Sequence, residues 1–243
     1  MEKGNAMSAT ARAYKGIGMN GFIASWYAKN ASKSIDEYAK DARRVAERIP
    51  PGSRVLEVAP GPGYQAIALA QLGRYRITGV DISDSFVRIA SENARAAGVD
   101  VEFRQGNAAD LPFVAESFDL VYCRAAFKNF ADPVKAMAEM HRVLRPGGIA
   151  LIQDLRPDAT HEAIADTVCS LKLDRLNSVM TTWMFKHMLV KRAHPRQHLE
   201  AMAATSPFKT CEISESPIGY EVVLRKEDSA SAPHWDDASR ACS

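Results

Sequence analysis

Between residues 54 and 155 the chain alternates two rhythms of hydrophobic and polar positions. Short apolar runs recur: "RVLEVA" from Arg54, "RITGVDI" from Arg76, "VEFRQGN" from Val101, "FDLVYCR" from Phe118 and "IALIQDL" from Ile149. Each reads as a short strand bounded by turn or helix signals. Between them the spacing is helical, over Tyr64–Leu72, over Ser83–Ala97 with Gly98 closing it, and over Pro133–Leu144 with "RPGG" (145–148) ending it. Strands separated by helices predict an α/β fold with a mostly parallel sheet covered on both sides.

The flanks break this rhythm. Upstream, "SIDEYAKDARRVAERI" places Ile35, Tyr38, Ala42, Val45 and Ile49 near helical spacing, with Ser34 as N-cap and Glu37 three residues on; "PPG" (50–52) stops it. Downstream, 161–191 is one or two helices heavy in Leu, Met, Trp and Phe, and "HPRQHLEAMAATS" is another. "FKTCEISES" and "YEVVLRKE" alternate around "PIG", which predicts an antiparallel hairpin. The organisation expected is a helical cap over 1–49, a ligand-binding core over 50–155, a helical lid over 156–206, a closing hairpin over 207–227 and a disordered Ser/Ala/Asp-rich tail over 228–243.

Composition narrows the function classes. The 243 residues are 47% hydrophobic and 25% charged, ordinary for a globular domain with a core of its own. With 31 basic against 29 acidic residues the net charge is +2, and no basic stripe interleaved with aromatics points to nucleic acid or to an anionic membrane. Cys123, Cys169, Cys211 and Cys242 are scattered without CxxC or His/Cys ligand spacing, so they read as reduced thiols and no metal is expected. With no signal-like or spanning apolar run, a cytoplasmic protein is expected.

The chemistry concentrates after the first strand. "VLEVAPGPGYQAIALA" (55–70) is a strand, a glycine turn and a helix start, and in open parallel sheets ligands sit at this edge. Gly61 and Gly63 let a ligand approach the main chain. Asp81, at the end of the second strand, is placed to accept hydrogen bonds from ribose hydroxyls. "GPGYQA" (61–66) fits G-x-G-x-x-G/A, so a dinucleotide is one reading and an NAD-dependent oxidoreductase one alternative. Two features oppose a pyrophosphate: Pro62 removes a backbone N–H donor, and Glu57 sets a carboxylate at the lip of the loop. Glu57 suits a ligand bearing ammonium or sulfonium charge.

Several motifs in order carry a resemblance: "VLEVAPGPG", "GVDIS", "GNAADLPF" (106–113) and "SFDLVYCRAAFKNFADPVKAMAEMHRVLRPGG". Over about Gly52–Leu155 the chain resembles the class I S-adenosylmethionine-dependent methyltransferases, in the small-molecule branch of quinone-biosynthesis (UbiE-like) enzymes. The resemblance implies a Rossmann-like, doubly wound, mostly parallel seven-stranded sheet with an antiparallel C-terminal hairpin, and S-adenosylmethionine as cofactor. It implies that Glu57 and the Ala59–Gly63 backbone hold the methionine amino group, and that Asp81 takes both ribose hydroxyls with Ile82 on the adenine face. Asn107 and the Ala108 N–H would meet the adenine edge, and the Cys123 or Arg124 backbone the methionine end. Ala59 stands where the family usually has its first glycine, Asn107 where Asp is commoner, and "AFKN" (126–129) where many relatives have histidines.

Methyl transfer is an in-line displacement in which positioning supplies much of the rate, and a general base is needed only when the acceptor's proton must leave early. Candidates for that base are His187, within "TTWMFKHMLV", His194, His198, Lys128 and Tyr14. The substrate wall is expected from the cap "AYKGIGMNGFIASWYAK", with Tyr14 and Trp26, from Lys128, and from Met180, Trp183 and Met184 of the lid, a soft face for a small apolar or aromatic molecule. A methyltransferase-fold protein doing other chemistry, or only regulating a partner, is a second alternative. A macromolecular acceptor is a third, opposed by the near-neutral charge and by the absence of "[DNS]PPY" after the fourth strand. A homodimer is compatible with these residues.

Overall fold

The computed structural model describes residues 14–15, 20–170, 175–185 and 189–228. Helices α1 (Gly21–Ala31) and α2 (Ile35–Ala46) precede strand β1 (Arg54–Val58). The core continues with α3 (Tyr64–Ala70), β2 (Arg76–Asp81), α4 (Asp84–Ala96), β3 (Val101–Gln105), β4 (Phe118–Arg124), α5 (Pro133–Val143) and β5 (Leu144–Leu155). Helices α6 (His161–Ser170), α7 (Arg175–Met184) and α8 (Arg196–Thr205) follow, and β6 (Glu212–Glu215) and β7 (Gly219–Arg225) close the chain.

The seven strands form one sheet in the order β3-β2-β1-β4-β5-β7-β6. β1 through β5 run parallel, and β7 lies antiparallel to both β5 and β6. Chain order reverses between β1 and β4, which sets a crevice at their carboxyl ends. The expected mixed, seven-stranded α/β sheet is therefore the observed one.

The sheet is a sandwich filling. One apolar layer joins Leu56, Val58, Val121 and Ile152 to Met137, Met140 and Val143 of α5. The other joins Val55, Leu120 and Leu151 to Ala66 and Leu69 of α3 and to Ala42 and Val45 of α2. The cap helix α2 is thus part of the core layer. The lid has a small cluster of its own, Ile164, Val168 and Val190, with Phe185 and Ile218 against it.

Three details depart from the sequence reading. Ser34 makes no side-chain cap, because α2 runs on from a 3-10 turn (Ser32–Ser34) whose carbonyls lie ahead of its first N–H groups. Ile35 is 55% exposed, so the buried stripe of α2 begins a turn later. "RPGG" belongs to β5, where the pairing with β4 shifts register between Phe118 and Leu120. Of the tail expected as disordered over 228–243, Asp228 is described beside Gly147 and 229–243 lie outside the described residues.

Candidate functional site

The loop after β1 owes its shape to backbone conformations that side chains rarely adopt. Ala59, Gly61 and Gly63 have φ of 58°, 56° and 80°. Gly63 is the residue at which α3 starts, and a Cβ there would stand 2.8 Å from Phe103 and 2.9 Å from Ala90. It is glycine because α4 and β3 leave no room. At Gly61 a Cβ would meet nothing nearer than Tyr27 Cε1 at 4.0 Å, so this part of the loop faces open space under the Tyr27 ring. Ala59 takes the same left-handed region with a side chain, at a cost of about 1–2 kcal/mol. Its N–H donates to Val80 O (2.8 Å), which holds the loop to the end of β2.

Asp81 closes the other side. It is 6% exposed, and its carboxylate accepts from Gly61 N–H (3.0 Å) and Ser83 N–H (2.8 Å). Burial pushes its pKa up to about 6, while the N–H groups of Ser83, Gly61 and Ile82 pull it back. One carboxylate therefore orients both the glycine loop and the turn into α4. Ser83 caps α4 through Phe86 N–H (3.3 Å) and donates to Asn20 Oδ1 (2.9 Å), while Gly21 N–H donates to Ser85 Oγ (3.0 Å). These bonds dock the start of α1 on the end of β2.

Glu57 sits on β1 at 2% exposure, and its Oε2 is buried with no hydrogen-bond partner. Burial raises its pKa to about 8, with the Arg124 charge and the Ala66 N–H acting the other way. A buried carboxylate oxygen without a donor is costly, and a cationic N–H donor would relieve it where a phosphate would worsen it. The loop and its acids fit a ligand with ammonium and sulfonium charge and no pyrophosphate.

Arg124, at the end of β4, lies over the Tyr38 ring (4.8 Å from the centroid), with its Nε 3.5 Å from Asp41 Oδ2. Asp41 of α2 is almost fully buried and accepts from Tyr122 Oη (2.6 Å) and Gln153 Nε2 (3.2 Å). Tyr38 is pushed up to about 12 chiefly by burial. Tyr27 leaves 37% of its surface to water, and burial around its hydroxyl raises its phenol above the usual range. Tyr27, Tyr38, Asp41 and Gln153 carry no sequence signal that marks them as site residues. The cap is visibly rich in aromatics, but which ring of "WY" turns inward depends on the phase of α1 against the sheet.

The remaining sequence candidates fall as follows. Ile82 is half-buried beside Asp81, and its carbonyl accepts from Gln105 Nε2 (3.2 Å). Asn107 Oδ1 accepts from Ala109 N–H (2.9 Å), and Ala108 packs on the core. Cys123 is fully buried with its thiol held well above the usual range, chiefly by burial. Tyr14 pairs with Phe130 as an isolated bridge beside the Lys15 N–H to Asn129 O bond (2.8 Å), a strap across the β4 exit. Lys128 is 4% exposed, and its Nζ is held by Asp154 Oδ1 (2.7 Å) and Ala125 O (2.5 Å). Asp154 Oδ2 also accepts the Lys128 N–H (2.7 Å), so the pair clamps the turn after β4. Trp26 and Trp183 are 36% and 55% exposed. His187 and the side chains of Met180 and Met184 lie outside the described residues. Among the described residues no three His, Cys, Asp or Glu side chains gather as a metal site, and no helix is long and apolar enough to cross a membrane.

A switch-point crevice with a left-handed glycine loop, a buried acid on β1 and a second on β2, closed by an antiparallel β7, is the arrangement that the resemblance to class I S-adenosylmethionine-dependent methyltransferases implies. Residues 56–152 match the family described as a methyltransferase domain. The core is similar to the quinone-biosynthesis (UbiE-like) methyltransferases, and no similarity to an oxidoreductase supports the dinucleotide alternative. The chain is 39% identical over 108 residues to a demethylmenaquinone methyltransferase of Deinococcus radiodurans, covering 44% of this chain and 45% of that protein. It is 31% identical over 186 residues to the erythromycin 3''-O-methyltransferase of Saccharopolyspora erythraea, covering 74% of this chain and 61% of that one. The chain thus spans about half the length of several curated relatives it matches. A solved S-adenosylmethionine-dependent methyltransferase of Methanococcus maripaludis shares the fold, with a TM-score of 0.75 over 89% of this chain and 98% of that one at 18% identity.

Proposed function

We propose that this protein transfers a methyl group from S-adenosylmethionine to a small apolar or aromatic molecule. The observation that carries the reading is Glu57, whose buried, unpartnered Oε2 stands on β1 beside a loop that opens toward the Tyr27 ring. When bound, S-adenosylmethionine supplies an activated methyl group on a sulfonium centre. Glu57 and the Ala59–Gly63 backbone receive the ammonium end, and Arg124 and the Cys123 backbone flank it at the β4 exit. Asp81, oriented by the loop it anchors, accepts from the ribose hydroxyls. Ile82, Asn107 and Ala108 bound the adenine. Tyr27 covers the loop and excludes water. Tyr14, Trp26 and Trp183 are the described candidates for the acceptor side, beside the turn that Lys128 clamps, and Tyr14 stays a candidate for handling the acceptor's proton. The division into a cap (1–49), a core (50–155), a lid (156–206) and a closing hairpin (207–227) is kept in this reading. The free thiols of Cys123, Cys169 and Cys211 support a cytoplasmic setting.

Calorimetric titration with S-adenosylmethionine, with NADH as comparison, tests this. Binding of S-adenosylmethionine that is lost in Asp81→Ala is the expected result. Binding of NADH in its place would overturn the reading of Glu57 and Pro62.

A further inference from the structure

The turn after β4 and a histidine packed against it each carry an enclosed polar atom with nothing to bond. Asn129 is 8% exposed, and its Oδ1 has no partner. His194, just before α8, carries the second at Nε2. Its ring stands edge-on to Phe127 at 5.9 Å between centroids, and Phe127 and Asn129 begin and end the same 3-10 turn (Phe127–Asn129). Lys128, between them, gives its Nζ to Asp154 and Ala125 O and bonds neither atom. Leaving a buried polar atom unmet costs about 1–3 kcal/mol. Two such atoms against one turn at the carboxyl edge of the sheet mark a place for a ligand with hydrogen-bond donors.

This place is linked to the cofactor edge. Lys15 donates its N–H to Asn129 O (2.8 Å), and its charge bears on His194. Its neighbour Tyr14 feels Asp81 on one side and Arg192 on the other. The Tyr14–Lys15 strap therefore reaches from the ribose acid to His194.

We propose that His194 and Asn129 form the acceptor subsite for a substrate with neighbouring hydroxyls, with His194 Nε2 receiving the proton of the hydroxyl that is methylated. The proposal deepens the methyl-transfer reading and rests on it. A lone pair of the hydroxyl oxygen forms the O–CH3 bond, the C–S bonding pair of the sulfonium donor stays on sulfur as a thioether, and the O–H proton passes to Nε2 and then to water. Asn129 Oδ1 accepts from the second hydroxyl. Burial lowers the proton affinity of His194, with the Lys15, His198 and Lys128 charges adding to this and Asp154 opposing it. The ring is then neutral near pH 7 and able to accept.

The test needs no turnover. The native protein, with and without S-adenosylhomocysteine, is titrated with catechol and with its dimethyl ether veratrole, which has the same ring and no donor. Binding is read by calorimetry and by the His194 ring resonance in NMR. Catechol is expected to move that resonance and to bind about tenfold more tightly than veratrole, as one or two net hydrogen bonds would give. His194→Gln and Asn129→Ala, checked for unchanged melting, are expected to erase the preference while leaving nucleoside affinity as it was. Equal binding of the two probes, no catechol binding, or an unmoved His194 resonance would overturn the subsite. Failure of S-adenosylhomocysteine to bind would instead overturn the methyl-transfer reading, and the nucleoside-free arm keeps the two failures apart.

Discussion

The two sides of the crevice are made differently. The cofactor side is made of strand ends: Glu57, Asp81 and the loop between β1 and α3 are fixed by the sheet's own hydrogen bonds and by glycines that the packing demands. The side proposed for the acceptor is made of what the chain brings from outside the sheet: the Tyr14–Lys15 strap, α1, the segment after β5 and His194, beside one turn clamped by Lys128 and Asp154. Unmet polar atoms occur on both sides, but for different ligands: a carboxylate oxygen on the first, an amide oxygen and an imidazole nitrogen on the second. The first side is built for a charged cofactor end. In the proposed reading the second takes hydrogen-bond donors without selecting charge.

Four substitutions would break or sharpen this contrast. Asp81→Ala removes a buried acid that also anchors Gly61, and cofactor affinity should fall about 100-fold or more by calorimetry, since truncating one member of a buried charged hydrogen-bonded set costs about 2–5 kcal/mol. An affinity within threefold of native would show that the loop does not depend on it. Gly63→Ala adds a Cβ against Phe103 and Ala90 at a left-handed φ; strain and overpacking together should destabilise by about 2–4 kcal/mol in urea unfolding. Asp41→Asn leaves shape but weakens the Tyr122, Gln153 and Arg124 contacts that tie α2 to the sheet. A loss of about 1–3 kcal/mol in the same assay is expected. Ala59→Gly should act in the opposite direction, relieving strain at φ 58° for a net gain of about 0.5 kcal/mol after the unfolded-state entropy of glycine. If Ala59→Gly destabilises, the loop is not strained there.

What could be read in advance follows the same line. Strand periodicity and the spacing of Glu57, Gly61, Gly63 and Asp81 are local, so the sheet and the positions of these residues were legible. The lip position of Glu57 and its missing partner were not equally so: the charge argument was available from sequence, whereas the absence of a donor depends on what packs around β1. Lys128 shows the limit more plainly. As a lone lysine after β4 it looked able to meet a substrate, and only its pairing with Asp154, on a strand 26 positions later, commits its head group to the turn. Tyr27 and Trp26 are adjacent, and nothing local decides which one reaches over Gly61. Ser34 failed as a cap because the preceding 3-10 turn, invisible to periodicity, did its work.

Proton linkage gives the contrast a direct measure. With its pKa raised to about 8, Glu57 keeps a proton in the cofactor-free fold that the unfolded chain has already lost above its ordinary carboxylate range. The cofactor-free protein should therefore lose stability as pH rises from about 5 to 8. An ammonium at Oε2 reverses this by favouring the carboxylate, so binding releases the proton. The decisive measurement is calorimetric titration with S-adenosylmethionine at pH 7 in two buffers of different ionisation enthalpy, repeated with Glu57→Gln. The account predicts close to one proton released by the native protein, affinity rising from pH 6 to 8, and neither effect in the variant. Binding with no proton released, or the same release from Glu57→Gln, would contradict the assignment of Glu57 to the cofactor's cationic end.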